Sequence, residues 1–258
     1  MDGPHLTDCD ILIAGHSHIA ALGVPLSADG EGVVVPIPDA PAGICGFSGQ
    51  WSGNRTGAYW RALAAASEGR TVVLLWSGNE HNASFLLRDP VPFDLVLDQP
   101  GLAETERGAL VVPRGLIAAS FESALRDLES SVGLLVASGA RRVIVLETPP
   151  PKRDLDSLRG VVLQSEFWRE RCAALGQSPD LPDFSPARLR LKLWSVLMDT
   201  VRALAIAAGG ETLRLPGDVL DADGFLLPQY WAPDLTHANA AYGRRVVAFL
   251  AEQLRVAA

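Results

Sequence analysis

Two segments far apart in this sequence carry a nucleophilic hydroxyl and a base that could activate it. Ser17 lies in the segment Gly-His-Ser-His that closes the first apolar run, and Asp234 lies three residues before His237. A neutral imidazole accepts the proton of a serine hydroxyl, and a carboxylate at this spacing holds the imidazole Nδ1–H on one tight turn. The pattern therefore favours acyl transfer through a serine nucleophile.

Two further segments could stabilise the negative charge that develops in such a reaction. Asn79 lies in Trp-Ser-Gly-Asn-Glu-His-Asn (76–82), directly after another apolar run, where a side-chain amide can donate to an oxyanion. The glycine-rich segment 46–57 follows the second apolar run, and its glycines allow a backbone N–H to approach a ligand closely. We expect both segments to lie beside the nucleophile.

Each segment also has a plain structural interpretation. Ser17 could cap a helix, Asp234 or Thr236 could cap the last helix beside a surface histidine, and Gly78 with Asn79 could form an ordinary turn after a strand. What favours chemistry is their common place in the chain. All four segments follow predicted strands or lead into the last helix, so a parallel sheet would bring them to one edge.

The elements that must position these residues alternate along the chain. Apolar runs predict five buried strands, at Ile11–Ala14, Val33–Ile37, Thr71–Trp76, Arg142–Leu146 and Glu211–Leu215. Apolar residues spaced three and four apart predict helices at Leu116–Ala137, Pro186–Ala208 and Ala238–Val256. Because crossovers between parallel strands place helices on both faces, we predict a three-layer α/β/α sandwich with a central parallel sheet of about five strands.

Two long segments interrupt this alternation. Residues 82–115 are rich in Pro, Asp and Gly, and residues 148–185 open with three prolines and contain a short helical piece around Phe167–Leu175. Loops of this length in a compact domain usually serve as lids or binding surfaces. We therefore expect a single domain over residues 1–258, with both insertions contributing to a lid or a substrate surface.

The composition argues against several classes of function. A formal charge of −8 and a pI near 5.1 disfavour nucleic acid as a partner. No Cys-x-x-Cys, His-Glu-x-x-His, Gly-x-Gly-x-x-Gly or Walker loop occurs, so neither a metal nor a cofactor is predicted.

The first ten residues lack a signal-peptide pattern, and no run approaches the ~20 apolar residues of a membrane span, so we expect a cytoplasmic protein without a membrane partner. The two lysines, Lys152 and Lys192, are interpreted as a compositional bias.

The four segments resemble the blocks of the SGNH (GDSL-like) hydrolase family, named for a Ser, a Gly, an Asn and a His. The similarity runs from about Asp10 to the carboxyl terminus. Ser17 is similar to the nucleophile of the family's Gly-Asp-Ser block, with His16 where Asp is usual, and Asp234 and His237 are similar to the last block. The resemblance implies a flavodoxin-like topology and a catalytic triad of these three residues.

The two middle blocks are similar to the family in part. Gly53, in Ser-Gly-Asn-Arg-Thr, resembles the oxyanion glycine, and Asn79 resembles the oxyanion asparagine, with Ser77 in place of Gly and Glu80 in place of Asp. The resemblance implies an oxyanion hole formed by Ser17, Gly53 and Asn79. Four polar residues are expected to line the pocket or to surround the catalytic groups: His16, His18, Glu80 and His81.

The sequence thus predicts a serine esterase that acts on a small-molecule or carbohydrate acyl ester, without a cofactor. One alternative is an O-acyltransferase that uses the same site, with sugar-stacking surfaces among Trp51, Tyr59, Trp60, Phe85, Trp168, Tyr230 and Trp231. Another is a flavodoxin-like binding module whose site has lapsed, of which His16 would be an early sign.

Overall fold

A six-stranded sheet forms the centre of the molecule. The computed structural model describes residues 9–26, 32–49, 57–76 and 79–254 of the 258-residue chain. The strands of this sheet are β1 (Ile11–Gly15), β2 (Val33–Pro36), β3 (Ile44–Ser48), β4 (Thr71–Leu75), β7 (Arg142–Leu146) and β8 (Glu211–Leu213). Their spatial order is β2-β3-β1-β4-β7-β8, and all neighbours are parallel except β2 and β3. Two short strands, β5 (Phe93–Asp94) and β6 (Leu110–Val111), form a separate parallel pair.

Helices cover both faces of the sheet. They are α1 (Ala58–Ser67), α2 (Glu80–Phe85), α3 (Arg114–Ala124), α4 (Arg126–Ala137), α5 (Gly160–Gln164), α6 (Glu166–Ala174), α7 (Ala187–Ala207) and α8 (Ala240–Gln253), and a 3₁₀ helix spans Ser17–Leu22. Within the described ranges, no helix has both the length and the apolar content that a membrane span requires.

Strand β1 shows how the two faces are divided. Successive side chains of a strand point to opposite faces, and all five residues of β1 are buried. Leu12 and Ala14 belong to a core shared with α1, α3, α4 and α7, whereas Ile11 and Ile13 belong to a core shared with the 3₁₀ helix and α8. The predicted α/β/α sandwich is therefore confirmed.

The sheet has one strand more than expected, and the edge strand β2 runs antiparallel to its neighbour β3. The glycine-rich segment expected to follow the second strand begins at Gly46, but residues 44–48 form β3, which pairs with both β1 and β2. A Cβ atom at Gly46 would lie 2.4 Å from the Val24 side chain, so glycine is the residue that fits here. Because this glycine interrupts the apolar run, the pattern does not indicate a strand. The remainder of the glycine-rich segment therefore follows β3 rather than β2 along the chain.

The long helix predicted over Leu116–Ala137 is in fact two helices. Leu125 separates α3 from α4 with φ −94° and ψ 11°. Its side chain is completely buried in the same core that both helices contact. The apolar periodicity therefore continues across the break, and no Gly or Pro marks it.

Helix α7 anchors both of the long insertions. Lys192, on α7, donates to Asp94 Oδ1 at 2.8 Å and to the carbonyl groups of Leu95 at 2.8 Å and Glu104 at 2.6 Å. Two residues earlier on the same helix, Arg190 donates to the carbonyl groups of Ser185 and Lys152 at 3.0 and 2.6 Å. These contacts hold the two segments against the sheet sandwich, and their role as a lid stays a prediction.

Candidate active site

Ser17 lies where β1 turns into the 3₁₀ helix. Gly15 ends the strand beside Leu75 of β4, and a Cβ atom at Gly15 would lie 2.3 Å from the Leu75 carbonyl oxygen. The His16 N–H donates to that same carbonyl at 3.1 Å, which extends the ladder by one residue. The chain then leaves the sheet, so that Ser17 is the first residue of the helix, above the carboxyl edge of the strands.

Asp234 and His237 form a tight turn just before α8. Asp234 Oδ1 accepts hydrogen bonds from the backbone N–H groups of Thr236 at 2.8 Å and His237 at 2.7 Å, while Oδ2 lies 3.0 Å from His237 Nδ1. Asp234 does not cap α8. That role belongs to Asn239, whose Oδ1 accepts from the N–H groups of Ala241 and Tyr242 at 2.9 and 3.2 Å. The aspartate therefore acts on the histidine rather than on the helix.

The structure brings Ser17 and His237 into direct contact. His237 Nε2 lies 2.9 Å from Ser17 Oγ, although 220 residues separate the two in sequence. Because the carboxylate of Asp234 faces Nδ1, the ring carries its proton there, and Nε2 is free to accept the hydroxyl proton. His16 Nδ1 also lies 3.2 Å from Ser17 Oγ. Ser17, His237 and Asp234 thus form a continuous hydrogen-bond chain from hydroxyl to carboxylate.

The surroundings of this hydrogen-bond chain keep the Asp234 carboxylate ionised and the His16 ring neutral. Partial burial of Asp234 opposes its ionisation, but the hydrogen bonds from the His237 ring and from the N–H groups of His237 and Thr236 outweigh burial and hold the Asp234 pKa well below its usual range. Burial, with a smaller contribution from the charge on His237, lowers the pKa of His16. His16 is therefore a neutral neighbour of the serine rather than a replacement for the acidic residue.

Asn79 lies at the carboxyl end of β4, the strand next to β1. It precedes α2, and its Oδ1 accepts a hydrogen bond from Asn82 Nδ2 at 2.8 Å. In this orientation its own Nδ2 group makes no hydrogen bond to another described residue, so it remains able to donate. Ser77 and Gly53 lie outside the described residues, and the role expected of Gly53 stays a prediction.

The remaining predicted residues lie at the ends of the same two strands. The His18 ring is 3% exposed, and its centroid lies 5.0 Å from that of His237. Burial, followed by the charges on His237, His16 and His81, lowers the pKa of His18 to about 3. Glu80 and His81 open α2, and His81 is buried. That His16, His18, Glu80 and His81 line a substrate pocket or surround Ser17 and His237 stays a prediction.

A cavity of about 350 Å³ opens beside the hydrogen-bond chain. Its lining comprises the three residues of the hydrogen-bond chain, five alanines, His18 and Leu26: Ser17, His18, Ala20, Ala21, Leu26, Ala232, Asp234, His237, Ala238 and Ala240. The alanines leave room for a small substituent next to the serine. Among the described residues, no group of three His, Cys, Asp or Glu side chains is placed to hold a metal ion.

Lys152 contributes to this site but was not found from the sequence. Its ammonium group is buried and donates to the carbonyl groups of Ala232, at 2.8 Å, and Asp234. Both lysines of the chain are buried, whereas its other basic residues are arginines. The scarcity of lysine, interpreted from the sequence as compositional bias, is the signal that could have indicated a specific role.

No protein-family model matches the chain, and no curated protein sequence matches it. Among solved structures, the chain is similar to LAE5, an alpha/beta hydrolase enzyme from the metagenome of Lake Arreo, Spain, with 15% identity over 93% of each chain and a TM-score of 0.37. It is also similar to Est24, a carbohydrate acetylesterase from Sinorhizobium meliloti, with 14% identity over 96% of this chain and 98% of that one and a TM-score of 0.32. Likenesses this weak carry no information about the function of this chain, and the resemblance to the SGNH family stays a prediction.

Proposed function

We propose that the chain is a serine esterase that hydrolyses small acyl esters, with Ser17 as nucleophile, His237 as base and Asp234 as the residue that orients the imidazole. The observation that carries this proposal is the hydrogen-bond chain from Ser17 Oγ to His237 Nε2 (2.9 Å) and from His237 Nδ1 to Asp234 Oδ2 (3.0 Å). A hydroxyl, an imidazole and a carboxylate in this order are what acyl transfer by a serine requires.

The reaction takes place in two halves. As Ser17 Oγ forms a bond to the acyl carbon, its proton passes to His237 Nε2, and the same proton then goes to the departing alkoxide as the ester C–O bond breaks. Water next attacks the acyl-enzyme and gives a proton to Nε2. The Oγ–C bond breaks, the proton returns to Oγ, and a carboxylic acid leaves. Asp234 keeps its negative charge throughout and stabilises the imidazolium form.

The oxyanion of each tetrahedral intermediate needs donors that are already in place. We assign this role to the Ser17 N–H, the Asn79 side-chain amide and the Gly53 N–H. The Ser17 N–H belongs to the first turn of a helix, where amides have no acceptor inside the helix. Each such donor typically lowers the transition-state free energy by about 3 kcal/mol.

The cavity favours a substrate with a short acyl group. Five of the residues that line it are alanines, on the 3₁₀ helix, on the segment before α8 and at the start of α8: Ala20, Ala21, Ala232, Ala238 and Ala240. A space of about 350 Å³ is near the lower end of ligand-pocket volumes. We therefore expect acetyl esters, of a carbohydrate or of a small metabolite, to react faster than esters of long fatty acids.

Hydrolysis of p-nitrophenyl acetate tests the proposal. Ser17→Ala removes the nucleophile, so turnover is expected to fall by at least ~10³-fold while the circular dichroism spectrum stays unchanged. Ser130→Ala, at a partly buried serine on α4, serves as the matched control and is expected to keep full turnover. Equal turnover by Ser17→Ala and the native chain would overturn the assignment.

Two other functions are outcomes of related measurements. An O-acyltransferase would pass the acetyl group to added glycans and release less free acetate. Of the aromatic residues suggested for sugar stacking, Tyr59, Trp60 and Trp168 are buried and Trp51 lies outside the described residues. Phe85, Tyr230 and Trp231 are partly exposed, and the last two are close to His237 in sequence. A lapsed binding module would hydrolyse no ester and would leave serine-directed probes unreacted.

A further inference from the structure

Lys152 places a buried positive charge directly beneath the Asp234–His237 turn. Its side chain is 1% exposed, and its ammonium group donates to the carbonyl groups of Ala232 and Asp234. Lys152 Nζ also lies 3.7 Å from Asp234 Oδ1, the oxygen that accepts the two backbone N–H groups of the turn. A buried ammonium group is costly to maintain unless it is paired and hydrogen-bonded. Both of these hydrogen bonds and the ion pair go to the single segment 232–234.

We propose that Lys152 is a positioning residue for the Asp234–His237 pair, which it holds in the geometry that lets His237 accept the Ser17 proton. This inference rests on the esterase function proposed above. Lys152 touches neither Ser17 nor His237. It acts through the backbone of residues 232–234 and through the charge of the Asp234 carboxylate.

The support for this segment continues into α7. Arg190, itself buried, donates to the carbonyl groups of Lys152 at 2.6 Å and Arg153 at 2.9 Å. The backbone that follows the Lys152 Cα atom is thereby fixed to the longest helix of the described structure. A rigid support of this kind matters because a misplacement of about 1 Å at a reacting group can reduce the rate by about 100-fold.

The charge of Lys152 also has a consequence for the pH dependence of the reaction. Within the described part of the chain, the charged and titratable groups around Lys152 and His237 are Asp234 from the turn, Arg190 from α7, which binds the Lys152 carbonyl group, Arg153 beside Lys152, and His16 and His18 from the end of β1 and its 3₁₀ helix. Arg153 is directed towards Asp221 and Asp223. Removing the ammonium group takes away the positive charge 3.7 Å from Asp234 Oδ1, which favours the protonated state of the coupled Asp234–His237 pair, so the acid limb of the rate profile moves to higher pH.

Burial favours the neutral form of Lys152. It lowers the pKa of Lys152 to about 8, although the charge on Asp234 and the hydrogen bond to it act in the opposite direction. At pH 7 and below the ammonium form therefore predominates, and experiments on the acid limb observe the charged residue.

The test is the rate of reaction with an alkyl fluorophosphonate between pH 5 and pH 8, measured for the native chain, Lys152→Met and Lys192→Met. Lys192 is the matched control because it is also buried and donates to a carboxylate and two carbonyl groups, but on the segment 94–104. Lys152→Met is expected to react about 10- to 100-fold more slowly, with its acid limb displaced to higher pH. Folded Lys192→Met is expected to keep the native rate and the native profile.

Each result decides between the two claims. A native chain that never reacts contradicts the esterase function itself. A native chain that reacts, together with a Lys152→Met profile that superimposes on it, overturns the positioning role alone. If Lys152→Met does not fold, Lys152→Gln, which keeps a hydrogen-bond donor but no charge, is used instead. Its acid limb is then expected to move upwards, and an unmoved limb counts against the proposal.

Discussion

Gly243 of α8 packs directly against the carbonyl group of Ala21, so closely that a Cβ atom at residue 243 would lie 1.7 Å from that oxygen. Ala21 belongs to the 3₁₀ helix that begins with Ser17, and α8 begins three residues after His237. The contact between a glycine and a backbone carbonyl therefore sets the distance between the two elements that carry Ser17 and His237.

Gly243→Ala tests the importance of this contact. The added methyl group must push the 3₁₀ helix away, so we expect the free energy of unfolding to fall by about 1–3 kcal/mol. Turnover of the folded variant is expected to fall by about 10- to 100-fold because Ser17 moves relative to His237. Gly133→Ala, in the middle of α4 where a Cβ atom meets nothing within 4 Å, should keep turnover and gain up to ~1 kcal/mol of stability. Native stability and turnover in Gly243→Ala would refute the account.

Asp234→Asn should reduce kcat by about 10³- to 10⁴-fold at neutral pH, because an amide favours the wrong tautomer of His237. A stability difference should accompany it. Since hydrogen bonds hold the Asp234 pKa below its usual value of 3.8, the ionised carboxylate stabilises the fold above that pH, and its contribution is lost as the pH falls further. Urea unfolding should therefore distinguish the variant from the native chain at pH 7, and the difference should shrink progressively as the pH falls below 3.8. Asp218→Asn, at an exposed ion pair with Arg245, should behave like the native chain in both measurements.

Asn79→Ala removes one proposed oxyanion donor. We expect kcat for p-nitrophenyl acetate to fall by about 10²- to 10³-fold with little change in KM. The oxyanion forms in the transition state and the tetrahedral intermediate, and it is absent from the bound substrate. Asn82→Ala, which removes the hydrogen bond that orients the Asn79 amide, should cause a smaller loss in the same direction. A kcat of Asn79→Ala within twofold of native would exclude the asparagine from this role.

His18→Leu should make the fold more resistant to acid. Burial lowers the pKa of His18 from 6.5 to about 3. Between these two pH values the unfolded chain binds a proton at this residue and the folded chain does not, so the free energy of unfolding falls as the pH falls from 6.5 towards 3. The free energy of unfolding of the native chain falls by up to about 1.4 kcal/mol per pH unit in this window because of His18. Urea titrations at pH 7, 6, 5 and 4 should show a shallower loss of stability for the variant, and parallel slopes would show that His18 does not resist protonation.

Much of the fold could be predicted from the sequence because its central strands are buried on both faces. The runs at β1, β4 and β7 are apolar apart from the first residues Thr71 and Arg142, and the structure places a strand at each of them. Strand β3 contains Gly46, which serves close packing rather than apolar periodicity, so its role appears only when Val24 is in place. The break at Leu125 was hidden for the opposite reason, because the apolar pattern is maintained through it.

The candidate site was predictable where its geometry is local. Three residues separate Asp234 from His237, and the turn that joins them is made by their own hydrogen bonds. The contacts of Lys152 instead join residues 80 and 82 positions apart, and no periodicity or motif connects them. A buried ammonium group that holds a distant loop is visible only in three dimensions.

The central claim is that Ser17 is a nucleophile activated by His237, and mass spectrometry after treatment with an alkyl fluorophosphonate tests it most directly. Attack by Ser17 Oγ on phosphorus displaces fluoride and leaves a stable phosphonyl-serine. We expect one adduct per chain, located at Ser17, absent from Ser17→Ala and formed far more slowly by His237→Ala. An unlabelled native chain, or an adduct at another serine, would contradict the account.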